Sequence, residues 1–497
     1  MQDIIFCSLP YSDLDHIYSA PAVLKGVVHE HGYSAKTVDF GLTLYDVCNN
    51  DKTLFDIVQS YFISPDVEDD YKVYIEKFYN QCIEYLLNHP SEFIGLSVLS
   101  IYTHKAVFEL CHRIKQAGIK SKIVVGGRGC KIPTFSSIYP TVDPTNIEKF
   151  LSYGEFLKKR NLIDFLVLGD GENAILDVLA SRELESEYTS NQFVNSIPDF
   201  SDYKLDRYLF QNDITLPIMG SKGCVRDCDF CDVKYQFGKF RHRSGKDIFE
   251  EIIALSKKYN IYKFHFTDNL VNGGLKPFKE FLYLLAEHNT KNANHSIRWS
   301  GQYICRPASQ TPVEIYDLMK RSGAEGLTIG AESGSDHVLT AMNKKTTVQA
   351  LFDELEQFRK HRLTCNILTF VGHWSETRED FIDHCKMLVK LTPYVRSGTI
   401  SALIGGFTMA MLDGTPSMEN AEKNQIVLSS FHKDQIWHVK NNPTNTFKER
   451  VYRRLIVNKI CKNLNILTAT DFESFMYIKN IIDQYHYQIK EFYDQFS

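Results

Sequence analysis

The sequence predicts an α/β protein in three parts: a doubly wound parallel sheet, a partial (β/α)6 barrel and a helical C-terminal region. Two observations carry that expectation. Short apolar runs alternate with segments of helical spacing over the first part of the chain, and a second such series begins after residue 213. This is the β-α-β alternation of parallel sheets flanked by helices. Between the two series lies Ser196-Ile197-Pro198-Asp199-Phe200-Ser201-Asp202, whose polar, turn-forming composition marks a linker. A chain of 497 residues also exceeds what one hydrophobic core ordinarily organises. The expected boundaries are 1–195 for the sheet domain, 196–212 for the linker, 213–418 for the barrel and 419–497 for the tail.

The elements follow in order from local pattern. Ile4-Ile5-Phe6-Cys7-Ser8-Leu9 reads as a strand ending at Pro10. Over residues 20–32, Val23, Val27 and Val28 recur at helical spacing and Gly32 sits at a C-cap. Lys36-Thr37-Val38-Asp39-Phe40, Phe93-Ile94-Gly95-Leu96-Ser97-Val98, Lys122-Ile123-Val124-Val125-Gly126-Gly127 and Asp164-Phe165-Leu166-Val167-Leu168-Gly169 supply four more strands. A helix rich in Lys and His, residues 104–116, joins the third strand to the fourth. The result is a Rossmann-like sheet, interrupted by an aromatic-rich, charged helical insertion at about 50–90. In the second series, strands are expected at 214–220, 262–266, 296–302, 326–329, 364–371 and 397–403, and helices at 246–258, 277–288, 312–322, 347–361 and 377–391. Six such βα units fit a partial barrel, whose chemistry sits at the C-terminal strand ends. The tail is polar and aromatic, and its Trp437, Tyr452 and Tyr485 are expected to pack against the barrel.

Composition narrows the function. The net charge is −5, from 56 basic and 61 acidic residues, which argues against nucleic acid or a membrane surface as the main partner. The start, Met-Gln-Asp-Ile-Ile-Phe, lacks the basic and then apolar stretch of a signal peptide. The longest uncharged run, between Arg396 and Asp413, is shorter than the roughly 20 residues of a membrane helix. The expected compartment is the cytoplasm. There the isolated Cys7, Cys48, Cys82, Cys111, Cys365, Cys385 and Cys461 serve as small buried hydrophobes.

Three of the twelve cysteines cluster: Cys224, Cys228 and Cys231, in Gly-Cys-Val-Arg-Asp-Cys-Asp-Phe-Cys. They follow the first barrel strand. Spacing alone admits two metal sites. Structural zinc takes four ligands. Only Cys228 and Cys231 form a C-x2-C arm, so His242 or Cys305 would have to complete the set. A cubane iron–sulfur cluster has four irons, and three thiolates would leave one iron open to a substrate or cosubstrate.

C-x3-C-x-Phe-C at the end of a first barrel strand resembles the signature of the radical S-adenosylmethionine (SAM) superfamily. The resemblance extends, in order, through Thr267-Asp268-Asn269 on the second strand and Trp299-Ser300-Gly301-Gln302 on the third. It continues through Gly330-Ala331-Glu332-Ser333-Gly334-Ser335 with Met342-Asn343-Lys344, and through Phe370-Val371-Gly372-His373-Trp374-Ser375-Glu376-Thr377, where Trp374 replaces the usual Pro. Asp413-Gly414-Thr415-Pro416 resembles a late turn of the family. The N-terminal sheet resembles the cobalamin-binding domain fused to one large branch, through Ser8-Leu9-Pro10, Gly95-Leu96-Ser97-Val98, Val124-Val125-Gly126-Gly127 and Leu168-Gly169-Asp170-Gly171-Glu172-Asn173. The branch's D-x-H-x-x-G cobalt-ligand motif is missing: neither Asp13/Asp15/His16 nor His29/His31/Gly32 reproduces it. If cobalamin binds, no histidine from that motif is expected on cobalt.

The resemblance implies a [4Fe-4S] cluster on Cys224, Cys228 and Cys231, with SAM on its open iron and cleavage of SAM to a 5′-deoxyadenosyl radical. It assigns SAM binding to Phe230, Asp268, Gln302, Arg306, Glu332 and Ser333. Contacts to cobalamin would come from Pro10, Ser97, Ser100, Thr103, Gly126, Gly127, Gly169 and Glu172. There the glycines would let backbone approach a flat ligand and the hydroxyls would meet its amides. Lys222 and Arg226 would raise the cluster potential by their charge. His104 is expected on the surface at a helix N-terminus.

The implied activity is cobalamin-dependent methyl transfer to an unactivated carbon of a small molecule, fed by a low-potential donor such as a flavodoxin or ferredoxin. One alternative is a radical SAM cyclase, oxidase or rearrangement enzyme without methyl transfer. Another is a non-catalytic zinc- or cobalamin-binding protein. Methylthiotransferases carry a second three-Cys set in their N-terminal domain, which Cys7, Cys48, Cys82, Cys111 and Cys130 do not resemble.

Overall fold

A computed structural model describes residues 1–10, 13–63, 69–132, 152–181, 187–190, 194–210, 213–306, 310–430 and 434–468. The chain forms two compact units, residues 1–217 with 251–263, and residues 218–250 with 264–497.

The first unit is built on a six-stranded sheet: β1 (Gln2–Ser8), β2 (Ala35–Asp39), β3 (Ser91–Ser97), β4 (Lys122–Gly126), β5 (Phe165–Gly169) and β6 (Glu187–Ser190), in the order β2-β1-β3-β4-β5-β6. Every neighbouring pair is parallel, as short apolar strands separated by helices require. In β1, Ile4, Ile5, Phe6 and Cys7 are all buried, so both faces of this strand are covered. One face packs Ile4, Phe6, Phe93, Val124, Phe165 and Val167 against Val28 of helix Ser19–Glu30 and Ala174, Ile175 and Val178 of helix Gly171–Ser181. The strand order reverses between β1 and β3, the switch point at which ligands bind open α/β sheets. The insertion is helical, with helices Lys52–Gln59 and Asp69–Asn88.

The polar segment expected to act as a linker is anchored to this unit. Phe200 is buried, and the ammonium of buried Lys25 donates to Asp202 at 2.6 Å and to Ser201 Oγ at 2.8 Å. Asp202 also accepts from the Thr37 N–H at 2.9 Å. Desolvating Lys25 is tolerable only with such an acidic partner, which explains why this stretch is polar without being loose.

The barrel strands lie mostly in the second unit. After β7 (Leu216–Ile218) comes a short antiparallel pair, β8 (Ser221–Lys222) and β9 (Arg241–His242). Then follow β10 (Lys263–Phe266), β11 (Arg298–Ser300), β12 (Gln302–Tyr303), β13 (Leu327–Glu332), β14 (Cys365–Val371) and β15 (Ile400–Thr408). They form sheets of order β11-β10-β7 and β12-β13-β14-β15. The strand read from sequence as 296–302 is therefore broken at Gly301. A Cβ there would lie 2.6 Å from Val271 and 2.9 Å from Phe266, so close passage of the neighbouring loop dictates the glycine. Helices Gly245–Tyr259, Leu275–Lys291, Glu314–Arg321, Val348–Lys360 and Arg378–Lys390 alternate with the strands.

In the tail, residues 419–430 and 434–468 are described, and they are not all helical. They form an antiparallel pair, β16 (Ile426–Leu428) and β17 (Trp437–Val439), before helix Phe447–Asn463. The β-branched and aromatic residues of these two runs favour a pleated, half-buried surface. Trp437 is wholly buried, with the Arg450 guanidinium 3.6 Å above its ring. Tyr452, expected to pack, is instead 60% exposed, while Tyr485 lies outside the described residues. Among the described residues, no helix is long and apolar enough to cross a membrane.

Candidate active site

The cysteine loop begins just after β7, where Gly223 adopts φ +82°. Cys228 is buried, and Cys224 and Cys231 are half-buried. Two backbone contacts shape the loop: the Arg226 N–H points to Cys224 Sγ at 3.3 Å, and the Cys231 N–H donates to the Cys228 carbonyl at 3.2 Å. Burial pushes the Cys228 thiol up to about 12, against the pull of Lys344, and Cys231 up to about 11.

The donor set fits a cluster better than a single ion. One zinc, with bonds of about 2.3 Å, would draw its thiolates to within about 4 Å of one another. Among the described residues, the only trio of ligating atoms mutually within 4.8 Å is Asp13, Asp15 and His16, on the surface of the first unit. The three sulfurs are not all within that distance of one another, which ligands to separate irons of a cubane need not be. Of the residues that could complete a zinc site, His242 is exposed and meets the Arg243 carbonyl, while Cys305 is buried with its thiol pushed far up by desolvation.

Facing the loop is the end of β13. The register with β14 shifts between Gly330 and Glu332, and Glu332 takes φ +61°. Such a bulge with a left-handed residue re-aims a side chain at a functional strand end. Glu332 is buried and pairs with Lys344 Nζ at 2.6 Å. Burial opposes the Lys344 charge, but Glu332 and Cys228 hold it and the net shift is upward. A Cβ on Gly330 would lie 2.4 Å from Glu332 Oε1 and 3.0 Å from Lys344 Nζ, so the glycine makes room for the ion pair. Ser333 is buried beside it, its Oγ accepting from the Ser335 N–H at 3.2 Å. Lys344, Ser333 and Gly330 line a small cavity together with Arg226 and Cys305.

The remaining residues assigned to SAM differ in circumstance. Phe230 packs edge-on to Phe370 at 4.9 Å and against the Val338, Leu339 and Met342 cluster. Gln302 is exposed at β12. Asp268 is fully desolvated and its carboxyl is raised to about 7 by burial. It accepts from the Gly220 N–H at 2.8 Å and the Ser221 hydroxyl at 2.6 Å, so it ties β10 to the start of the cysteine loop. Arg306 donates to the carbonyls of Asn272 and Gly273 at 2.9 Å, bracing that loop, and its Nε is buried without a partner.

The residues assigned to cobalamin gather at one edge of the first sheet, on the ends of β1, β3, β4 and β5: Pro10, Ser97, Ser100, Thr103, Gly126, Gly127, Gly169 and Glu172. Several have protein partners. Thr103 Oγ1 donates to the Ser100 carbonyl at 2.8 Å, and Ser100 Oγ accepts from the Tyr102 N–H at 3.3 Å. A Cβ on Gly127, at φ +111°, would lie 2.5 Å from the Val98 carbonyl, and one on Gly126 3.2 Å from Val167. Packing between neighbouring segments therefore accounts for both glycines without a ligand. Ser97 is half-buried at its strand end, Gly169 has φ +93° and Glu172 is buried.

His104, expected on the surface, is wholly buried. Its ring stacks on Tyr153 at 3.7 Å and its Nε2 meets the Gly129 carbonyl at 3.0 Å. Helix His104–Gln116 starts so close to the strand end that its first residue is covered by the following loop.

Two features had no role in the sequence reading. One is Lys344, named only as part of a motif. The other is Asp229, between two cysteines, whose carboxylate collects donors from residues far along the chain. Its signal was present only as the departure at Trp374.

Residues 218–388 match the family model described as the radical SAM superfamily. Among curated proteins, the chain is 23% identical over 287 residues to the anaerobic magnesium-protoporphyrin IX monomethyl ester cyclase of Synechocystis sp., covering 53% of this chain and 55% of that protein. It is 28% identical over 301 residues to the bacteriochlorophyllide d C-12(1)-methyltransferase of Chlorobaculum tepidum, covering 59% and 60%. The chain thus spans a little over half the length of these relatives. Among solved structures, it is similar in fold to the cobalamin-dependent S-adenosylmethionine radical enzyme OxsB with aqua-cobalamin bound, with a TM-score of 0.64 at 14% identity, covering 98% of this chain and 76% of that one.

Proposed function

We propose, from the match of residues 218–388 to the radical SAM superfamily, that the protein is a cobalamin-dependent radical SAM methyltransferase acting on a small molecule. The observation that carries the radical SAM part is the pairing of a three-thiol loop with a bulged strand end that presents Glu332, Ser333 and Lys344 to it. When bound, the cluster and SAM supply a 5′-deoxyadenosyl radical, and cobalamin supplies a methyl carrier.

The protein's own residues do the rest. Cys224, Cys228 and Cys231 would hold the cluster. Glu332 and Ser333 would meet polar groups of SAM, and Phe230 would wall off its base. Buried Ile304, Ala331 and Leu339 form the apolar part of the cavity wall, and exclusion of water there would protect reactive intermediates. A small molecule is the proposed substrate, and a low-potential flavodoxin or ferredoxin would serve as the electron donor. Support for cobalamin comes from the sheet of the first unit, whose strand ends and switch point gather the assigned residues, and from the fold likeness to a cobalamin enzyme along 98% of this chain. Its glycines fit without a ligand, so the cobalamin part rests on the whole sheet rather than on them.

A second reading has its own support: a relative of similar coverage is a cyclase, which favours radical ring chemistry without methyl transfer. One anaerobic assay separates the two. Reconstituted protein with SAM and reductant should retain iron and sulfide, show a cobalamin spectrum, and release both 5′-deoxyadenosine and S-adenosylhomocysteine. Release of 5′-deoxyadenosine alone would favour the cyclase reading, and zinc with no iron would remove both.

A further inference from the structure

We propose that Asp229 is the positioning residue of the cysteine loop, clamping it to the segment just after β14 and to the first turn of helix Pro416–Glu419. The inference rests on the radical SAM reading. Asp229 lies between Cys228 and Phe230, and its carboxylate meets donors far along the chain. Trp374 Nε1 donates to Oδ2 at 2.8 Å and Ser417 Oγ donates to the same oxygen at 2.9 Å. His373 Nε2 lies 3.1 Å from each carboxylate oxygen. On the other ring edge, His373 Nδ1 accepts from the Ser375 N–H at 3.3 Å and lies 2.8 Å from Ser375 Oγ. That arrangement places the proton on Nε2, aimed at the carboxylate. His373 is fully buried, and its carbonyl is held by Asn445 Nδ2 at 2.6 Å.

The backbone repeats the clamp. The Asp229 N–H donates to the Met342 carbonyl at 3.0 Å, and its own carbonyl accepts from the Ser417 N–H at 2.8 Å. Asn343 Nδ2 adds a bond to the Asp227 carbonyl at 2.8 Å. One loop residue is thus tied to three separate stretches of the chain: 342, 373–374 and 417. Its neighbour Phe230 packs on Phe370, and both lie, with Trp374, against the cluster that contains Met409 and Met411.

The departure at Trp374 then has a physical reason. A proline at that position would have no side-chain donor, whereas the indole N–H supplies one of the carboxylate's three side-chain donors. A charged acceptor with three donors is also a stronger tie than a neutral one. Residues behind metal ligands orient those ligands, and losing them typically costs about 10–100-fold in metal affinity or activity.

The test compares the wild-type protein with Asp229→Ala, Asp229→Asn, Trp374→Phe and Ser417→Ala, each reconstituted anaerobically. Wild-type iron, sulfide and SAM cleavage are measured first; if wild type holds zinc and no iron, the radical SAM reading itself fails, and that is distinct from failure of the clamp. With wild type active, three readouts follow: SAM dissociation constant, the change in the reduced cluster's electron paramagnetic resonance spectrum on adding SAM, and hydrogen exchange of residues 224–231 in the metal-free protein.

Asp229→Ala should weaken SAM binding by about tenfold or more, blur the SAM-induced spectral change and speed exchange of the loop. Asp229→Asn keeps an acceptor for Trp374 and Ser417 and should fall between Ala and wild type. Trp374→Phe and Ser417→Ala, which leave the loop sequence intact, should each give a smaller change of the same kind. Wild-type exchange and spectra in all four variants would overturn the proposal. So would equal effects of Asn and Ala on the spectrum with loop exchange unchanged, since that pattern belongs to charge rather than position.

Discussion

Gly127 follows β4 in the first unit and Gly330 lies within β13 in the second, and a Cβ at either would collide with a neighbour of a different kind. At Gly127 the obstacle is backbone, the Val98 carbonyl at 2.5 Å, and φ is +111°. At Gly330 it is the head of a charged pair, Glu332 Oε1 at 2.4 Å and Lys344 Nζ at 3.0 Å. The first glycine is demanded by the packing of the sheet. The second is demanded by polar groups that the fold itself has no need to bury. Buried ion pairs are weak contributors to stability, so the residues around Gly330 are better explained by chemistry than by folding. The turn after β4 in the first unit invites no such argument, because Gly127 meets backbone and the hydroxyls of Ser100 and Thr103 bond to neighbouring backbone groups.

The largest break in this comparison comes from the thiols. Cys228→Ser should abolish cluster retention and SAM cleavage, because a hydroxyl does not replace a thiolate on iron. The fold should survive, since the change removes one sulfur from a loop. Iron content and 5′-deoxyadenosine release measure the first, circular dichroism the second. A variant that keeps full iron would show that Cys228 is no ligand.

Gly127→Ala should do the opposite, harming the fold of the first unit and sparing the cluster. Positive φ and overpacking against backbone each cost about 1–3 kcal/mol, so the expected loss is about 4 kcal/mol. Chemical denaturation followed by a probe in residues 1–217, with iron content alongside, checks both halves. Unchanged stability would mean that the turn relaxes.

Acid should also separate the units by a named group. His104 is held neutral by burial, with its pKa lowered to about 4 from 6.5. The unfolded chain therefore takes up a proton that the folded chain refuses. Stability is full above pH 6.5 and falls as pH drops toward 4, by about 3 kcal/mol at about 1.4 kcal/mol per unit. His384 in the second unit is lowered to about 4 by the same cause, and burial also lowers His438 there, so acid weakens both units through different groups. His104→Phe keeps the stack on Tyr153 and should flatten the pH dependence of the first unit alone. An unchanged slope for that unit would assign its acid sensitivity elsewhere.

How much of this was legible depends on what sets each residue. The strands were readable because apolar runs broken by Pro10, Gly32 and Gly127 specify strand and turn directly, and helix 104–116 was found at the bounds it has. The cysteine loop and Glu332 were readable because metal and ligand chemistry fixes residue types at fixed spacings. The break at Gly301 was not, since it depends on Val271 and Phe266 passing close by. Nor was the burial of His104, which depends on a loop some 25 residues later, or the role of Asp229, whose donors lie between 144 and 188 residues away. Side chains whose meaning comes from distant partners leave no local pattern to read.

The smallest expected effect is at the other glycine, and it tests the contrast most directly. In Gly330→Ala the new Cβ meets the far ends of two side chains rather than backbone, so the pair can shift. Overpacking of this yielding kind should cost about 1 kcal/mol, far less than at Gly127. The shift moves Glu332 and Lys344 at the strand end that faces the cysteine loop, so SAM affinity should fall by about tenfold, which is about 1.4 kcal/mol. Isothermal titration of the reconstituted protein with SAM, beside a denaturation curve, gives both numbers. If stability falls as far as in Gly127→Ala while affinity holds, Gly330 is a packing glycine like its counterpart, and the pair it makes room for has no part in binding.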